Sequence, residues 1–237
     1  MRRRPLFSGG TFTLPPPAIT SPTQIPGLAE WHDASDASTI TLDGSNNSSE
    51  WRDKSGNGRH RTQSNVNLRP AYVTNVQNGL AGLLFDATDD AMTGYGNTTN
   101  PVNFFFVHRW SGSNRDTRLC SNTAVNGLSL GISALSSWNM SFVREGVAWV
   151  PSGWAQGTST RIYRVRFASG NASFWTYSGG TATLRQTTAT TGTIGAGSPV
   201  IVDIPGHHFE RVTYHGDPTS DQVTGLLTYL ASKWAVA

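Results

Sequence analysis

The densest group of ligating side chains in the sequence is Asp86, Asp89 and Asp90, in the run FDATDDAM. Hard cations such as Ca²⁺ take several oxygen ligands, and loop aspartates are frequent donors. The same residues in a turn accept hydrogen bonds from nearby backbone N–H groups. The run lacks the full ligand set of a calcium loop, so the turn reading leads and no cofactor is expected. Ca²⁺ at these three aspartates stands as the alternative. A second group, His207, His208 and Glu210 with Asp203 and His215 nearby, carries transition-metal ligand types. His208 and Glu210 share a face only in a strand, and no second motif is paired with the group. Cys120, the only cysteine, follows Leu119 in a short apolar stretch and reads as a buried thiol. Neither a G-x-S-x-G elbow nor a glycine-rich phosphate loop occurs. The aromatics Trp138, Trp149, Trp154, Trp175 and Tyr177 remain as candidates for binding a glycan or a protein partner. Aromatic rings stack on apolar sugar faces and anchor interfaces; core filling is the competing reading for each. Trp154, beside Gly153, is the one most expected to be exposed.

These side chains need strands to position them. Gly (25) and Pro (12) are plentiful and charged residues make up only 14%, a balance that disfavours helix interiors. Eight Trp and ten Phe supply a core. GLAEWHDASD and TITLDG read as strands, and SEWRDKSGNGRH as a strand followed by a polar turn, since Gly and Asn tolerate positive φ. Leu80–Phe85 reads as a buried strand. VNFFFVHRW, with Phe104, Phe105 and Phe106, reads as a central one. In TRIYRVRFAS, Ile162, Val165 and Phe167 alternate with Arg161, Arg164 and Arg166, and Tyr163 interrupts the period. One helix closes the chain at about 218–234, with Asp217 as N-cap, Pro218 at its first position and an apolar face of Val223, Leu226, Leu227, Leu230 and Trp234. The expected fold is all-β: a two-sheet antiparallel sandwich of the jelly-roll kind with a short C-terminal helix.

The first 26 residues differ. Six of the twelve prolines fall there, and proline fixes φ and donates no backbone hydrogen bond. Residues 1–26 are expected as an extended, basic anchoring arm, with 27–237 as the folded domain. Arg2, Arg3, Arg4, Phe7, Phe12 and Leu14 are its expected contact residues for an acidic and apolar partner surface. The net charge of +3 is carried by Arg rather than Lys, and outside the triplet it is scattered. Specific nucleic-acid binding is therefore not expected. Glycine and proline interrupt the N-terminal stretch too early for a signal peptide, and no run is long enough to insert in a membrane.

Taken in order, IPGLAEWHDASDAST, SEWRDKSGNGRHRTQ, RPAYVTNVQNGLAGLLFDATDDAM and FERVTYHGDPTSDQVTGLLTYLASKW resemble the concanavalin A-like (laminin-G-like) jelly-roll domains of phage virion and bacterial surface proteins. The resemblance spans about residues 25 to 237. It implies two packed antiparallel sheets and a binding or scaffolding role, and leaves the ligand open. Glycosidases of that superfamily carry acidic residues at alternate positions of one strand. Here Glu30, Glu50, Glu145 and Glu210 each lack an acidic residue two positions away. No catalytic residue is assigned, and the chain is expected not to be an enzyme.

The leading expectation is a phage structural or accessory protein: a head decoration, head fibre or tail appendage. It would assemble in the host cytoplasm, residing in the virion. The arm would hold capsid or tail subunits, and the sandwich would present a surface to host polysaccharide, with a homo-oligomer allowed. The alternative is a carbohydrate-binding module of a bacterial surface or host-recognition protein.

Overall fold

The turn residues that punctuate the sequence separate short strands in the computed structural model too. It describes residues 18–86, 88–95, 101–112, 117–120, 128–132, 139–144, 147–155, 157–168, 170–189, 200–202 and 204–237, with backbone alone for those between 117 and 155 and for 200–202. The first half comprises β1 (Leu28–Asp33), β2 (Ile40–Leu42), β3 (Ser48–Trp51), β4 (Arg61–Thr62), β5 (Ala71–Gln77), β6 (Leu80–Phe85), β7 (Met92–Gly94) and β8 (Val102–Trp110). Then come β9 (Thr117–Cys120), β10 (Leu128–Ile132), β11 (Asn139–Arg144) and β12 (Val147–Ala155). The last part comprises β13 (Arg161–Ala168), β14 (Asn171–Ser178), β15 (Thr181–Ala189), β16 (Val200–Val202), β17 (Gly206–His215) and the helix α1 (Ser220–Trp234).

The strands pair antiparallel in two layers. One layer is an eight-stranded sheet in the order β15-β14-β13-β8-β17-β6-β5, with β1 also pairing β17. The other holds a five-stranded sheet, β16-β7-β4-β3-β2, and a four-stranded sheet, β12-β11-β10-β9, whose edge β9 lies beside β16. β8 is interior, as its phenylalanines require: it lies between β13 and β17. Its alternate residues serve different layers. Phe104 and Phe106 face the second layer, while Phe105 and Val107 join the cluster beneath α1. Trp51, Leu83, Phe85 and Met92 join β3, β6 and β7 in a cluster between the layers. Among the described residues no helix is long and apolar enough to cross a membrane.

Three expectations need correction. The helix is N-capped by Thr219, whose side chain accepts from Gln222 N while Gln222 reaches back to the Thr219 N–H. Asp217 is engaged elsewhere, by Arg166. In β13 both faces are covered, because α1 lies on the outer one: Ile162 sits with Arg164 and Arg166 on the helix side, and Tyr163, Val165 and Phe167 face the other layer. The domain also begins before residue 27. Pro22–Gln24 form a 3₁₀ turn capped by Ser21, Ile25 is buried in the helix cluster, and the Tyr214 hydroxyl donates to the Pro22 carbonyl at 2.8 Å. Ile19 packs against the same cluster. Prolines here fix a strap that lies on its own body, because apolar side chains between them have a groove to fill.

Candidate functional site

Strand β14 carries two of the five candidate aromatics. Trp175 and Tyr177 are two residues apart, so the pleat sends both to one face. That face is the outer one, shared with α1: Tyr177 packs at the border of the helix cluster, opposite Ile162. Trp175 lies further out and half-buried, with Leu184 of β15 beside it and 52% exposed. The Arg164 guanidinium sits 4.8 Å from the centre of the Trp175 ring, a cation–π contact. Arg164 is aimed by Asn103, whose Oδ1 accepts from its Nε and Nη2 at 3.1 and 2.8 Å. Asn103 Nδ2 in turn donates to Gly216 O and Asp217 Oδ1. Arg166 closes the row with a two-pronged pair to Asp217, at 2.6 and 2.7 Å. That Arg166 pair, first, and the neighbouring Asn103 bond hold the Asp217 carboxyl below its usual range. An aromatic platform edged by fixed cations, an amide and a carboxylate therefore runs along β13 and β14.

The other candidates are placed as follows. Trp149 and Trp154 lie on β12, whose side chains are outside the described residues, and Trp138 is outside them altogether. So are Arg2, Arg3, Arg4, Phe7, Phe12 and Leu14 of the arm, and Asp203. Cys120 ends β9, where only the backbone is described.

Asp86 Oδ1 accepts from the backbone of Thr88, Asp89 and Asp90, and Asp90 Oδ2 accepts from Asp86 N at 2.8 Å. The three carboxylates come within 4.8 Å of one another. The geometry is the aspartate-capped turn expected from sequence, and the cluster also has the spacing of a cation site.

His207, His208 and Glu210 do not converge. A bulge interrupts the β17 register between His208 and Glu210. His208 faces Phe85 and His108, and its Nε2 contacts Ile204 O at 2.9 Å. Glu210 points under α1, where it accepts from Trp31 Nε1 (2.8 Å), Trp234 Nε1 (2.7 Å), the Tyr229 hydroxyl (3.2 Å) and Lys233 Nζ (2.8 Å). Lys233 reaches Asp33 as well, also at 2.8 Å, and Lys54 pairs with Asp33 and Asp36. Burial pushes the Glu210 carboxyl up and Lys233 pulls it back. The sequence reading missed this network because its members lie up to about 200 positions apart. The signal available was that Glu210 is one of only four glutamates, set in an apolar strand.

No family model matches the chain, and no curated protein matches it. Solved structures do. Domain 4 of a GH43 extracellular arabinanase from Geobacillus stearothermophilus, in complex with arabinotriose, is 12% identical with a TM-score of 0.58, over 84% of this chain and 98% of that one. A GH54 α-L-arabinofuranosidase is 14% identical with a TM-score of 0.63, over 93% of this chain and 62% of that one. Trypanosoma rangeli sialidase in complex with sialic acid is 12% identical with a TM-score of 0.59, over 87% of this chain and 33% of that one. The chain spans about half the length of another matched arabinofuranosidase. These likenesses show a shared fold. They also correct the expectation that the chain is not an enzyme, since the fold is shared with parts of proteins named as an arabinofuranosidase and a sialidase. Folding can pair carboxylates from distant strands: Asp33 of β1 and Glu210 of β17 are register partners, although both are buried and bridged by Lys233. The missing alternation on one strand therefore excludes nothing.

Proposed function

We propose that this domain recognises carbohydrate, and that the Trp175–Tyr177 face of β14 is its sugar-binding surface. One observation carries the reading: two aromatics share an outer face with Arg164, Arg166 and Asp217, whose polar atoms are already fixed by hydrogen bonds. A sugar presents an apolar face ringed by hydroxyls, which matches an aromatic platform edged by fixed donors and acceptors. The arabinotriose held by the domain-sized structural neighbour supports the same class of ligand.

The test is a glycan array followed by calorimetry on the best ligand. Trp175→Ala should lower affinity about 5- to 150-fold, since losing one stacked aromatic at a binding surface typically costs about 1–3 kcal/mol. Its midpoint of urea unfolding should change little. Full affinity in the variant would sink the assignment. Assaying the same mixtures for reducing ends tests for hydrolysis.

Attachment to a phage particle is a separate proposal. It rests on residues 1–17 and on the resemblance read from sequence, the strap at 18–26 belonging to the domain itself. Mass spectrometry of purified particles is its test: the protein should be present, and deleting residues 1–17 should remove it.

A further inference from the structure

At the end of the sheet, next to the proposed sugar surface, lies a polar groove of about 430 Å³. Arg109 and Arg161 line it, with Thr158, Ser159, Thr160, Ser178 and residues 235–237, and Ser178 Oγ donates to Ala237 O at 2.8 Å. Ser178 directly follows Tyr177 on β14, and Arg161 precedes Ile162, the residue opposite Tyr177. The groove therefore lies at the strand ends that border the aromatic face.

The charge state of Arg109 decides what the groove takes. Its guanidinium donates to Val76 O at 3.4 Å, approaches His207 Nδ1 at 3.2 Å and lies over the Phe209 ring. All three partners are neutral at neutral pH. Burial, then the positive charge of Arg109 itself, brings His207 down to about 4. Among the described residues no carboxylate lies within ion-pair distance of Arg109. The last helix carbonyls, of Lys233 and Trp234, are taken by the amides of Asn78 and Gln77, so neutral donors cover the negative end of α1. Thr160 Oγ1 donates to Gln77 Oε1 at 2.7 Å and fixes that amide.

We infer that this groove is an anion subsite, taking the carboxylate or sulfate ester of an acidic glycan whose neighbouring rings lie on Tyr177 and Trp175. A guanidinium fork matches two oxygens of either group, and the Thr158 and Ser159 hydroxyls supply further donors. The inference rests on the sugar-binding reading of β14 and adds the ligand's charge to it.

The experiment compares three probes by calorimetry on the full chain: an oligogalacturonide, its methyl-esterified neutral counterpart, and a sulfated carrageenan oligosaccharide. At least one acidic probe should bind about tenfold or more tightly than the neutral one, with an advantage that shrinks as salt rises from 20 to about 200 mM. A preference confined to one of the two acidic probes identifies the group accommodated. Ser159→Glu, at an exposed position lining the groove, should erase the advantage through like-charge repulsion. Arg109→Gln should do the same, and Ser159→Glu keeps the test decisive if Arg109→Gln fails to fold. Equal affinity for acidic and neutral probes, or an advantage that survives Ser159→Glu, overturns the groove while the β14 surface stands. Absence of binding by every probe and by a neutral glycan array overturns both.

Discussion

Glu210 shows what one side chain can hold together. It is fully buried, yet it accepts from two indoles, a phenol and an ammonium, and those donors come from β1 and α1. A buried carboxylate with its donors in place is tolerated; without it the two indole N–H groups and the phenol lose this acceptor, and Lys233 keeps only Asp33. Glu210→Ala should therefore destabilise the domain by about 3–5 kcal/mol, the range for breaking a buried charge pair. Glu210→Gln keeps the shape but turns one acceptor into a donor facing donors, so it should fall between the wild type and the alanine variant. Urea denaturation monitored by tryptophan fluorescence reads both, and a loss below about 1 kcal/mol in the alanine variant would contradict the account. The chain has only two lysines, Lys54 and Lys233, and both bind Asp33. That convergence was invisible in sequence, where the residues stand 21 and 200 positions from Asp33. What sequence does show at this scale is residue type and spacing: Trp175 and Tyr177 stand two positions apart, which puts both on one face of a strand.

Elements were more legible than their ends. β6, β8 and β13 stand where apolar runs place them, since a run of strand length between turn residues has few other solutions. The helix face was also readable, because five apolar residues at helical spacing have one burial solution. The strap was misread because proline content argues against sheet and helix but says nothing about docking. Gly225 makes the docking testable. A Cβ built there would sit 2.5 Å from Ile19 Cγ1 and 3.2 Å from Ile19 Cβ, both in the strap. In an exposed helix Gly→Ala gains about 1 kcal/mol of helix propensity. At this site the methyl group must displace Ile19, so Gly225→Ala should instead destabilise, and limited proteolysis should cut earlier within residues 18–24. Ile19→Ala alone removes packing and should also cost stability. Combined, the two truncate and fill the same space, and their costs should be less than additive, with part of the propensity gain recovered. Strictly additive losses would show that the strap and helix do not touch in solution.

At the scale of the molecule, the sandwich has sealed several histidines between its layers, and acid should find them. His32, His108 and His208 are each at least nine-tenths buried. Burial is the first cause that lowers all three, followed for His32 by the charges of Arg61 and Arg211 and for His108 by His208; His208 comes down to about 3. An unfolded chain protonates its histidines near pH 6.5. Between that value and the lowered ones the unfolded state binds more protons than the folded state, so stability is complete above about pH 6.5 and declines as pH falls toward the folded-state values. Each such histidine contributes a slope of about 1.4 kcal/mol per pH unit, and three together give about 4. Asp33, held below its usual range with Lys233 the leading cause of the lowering, adds a loss in the same direction at lower pH. Glu210, raised by burial, opposes it. Since typical domains hold only about 5–15 kcal/mol, the urea midpoint should drop steeply between pH 6.5 and about 4.5 and the fold should fail before pH 4. His208→Asn should remove about one proton from the slope, whatever it does to stability at pH 7.5. A midpoint that stays level across this range, or a slope unchanged in the variant, would mean that water or a counter-ion reaches these rings.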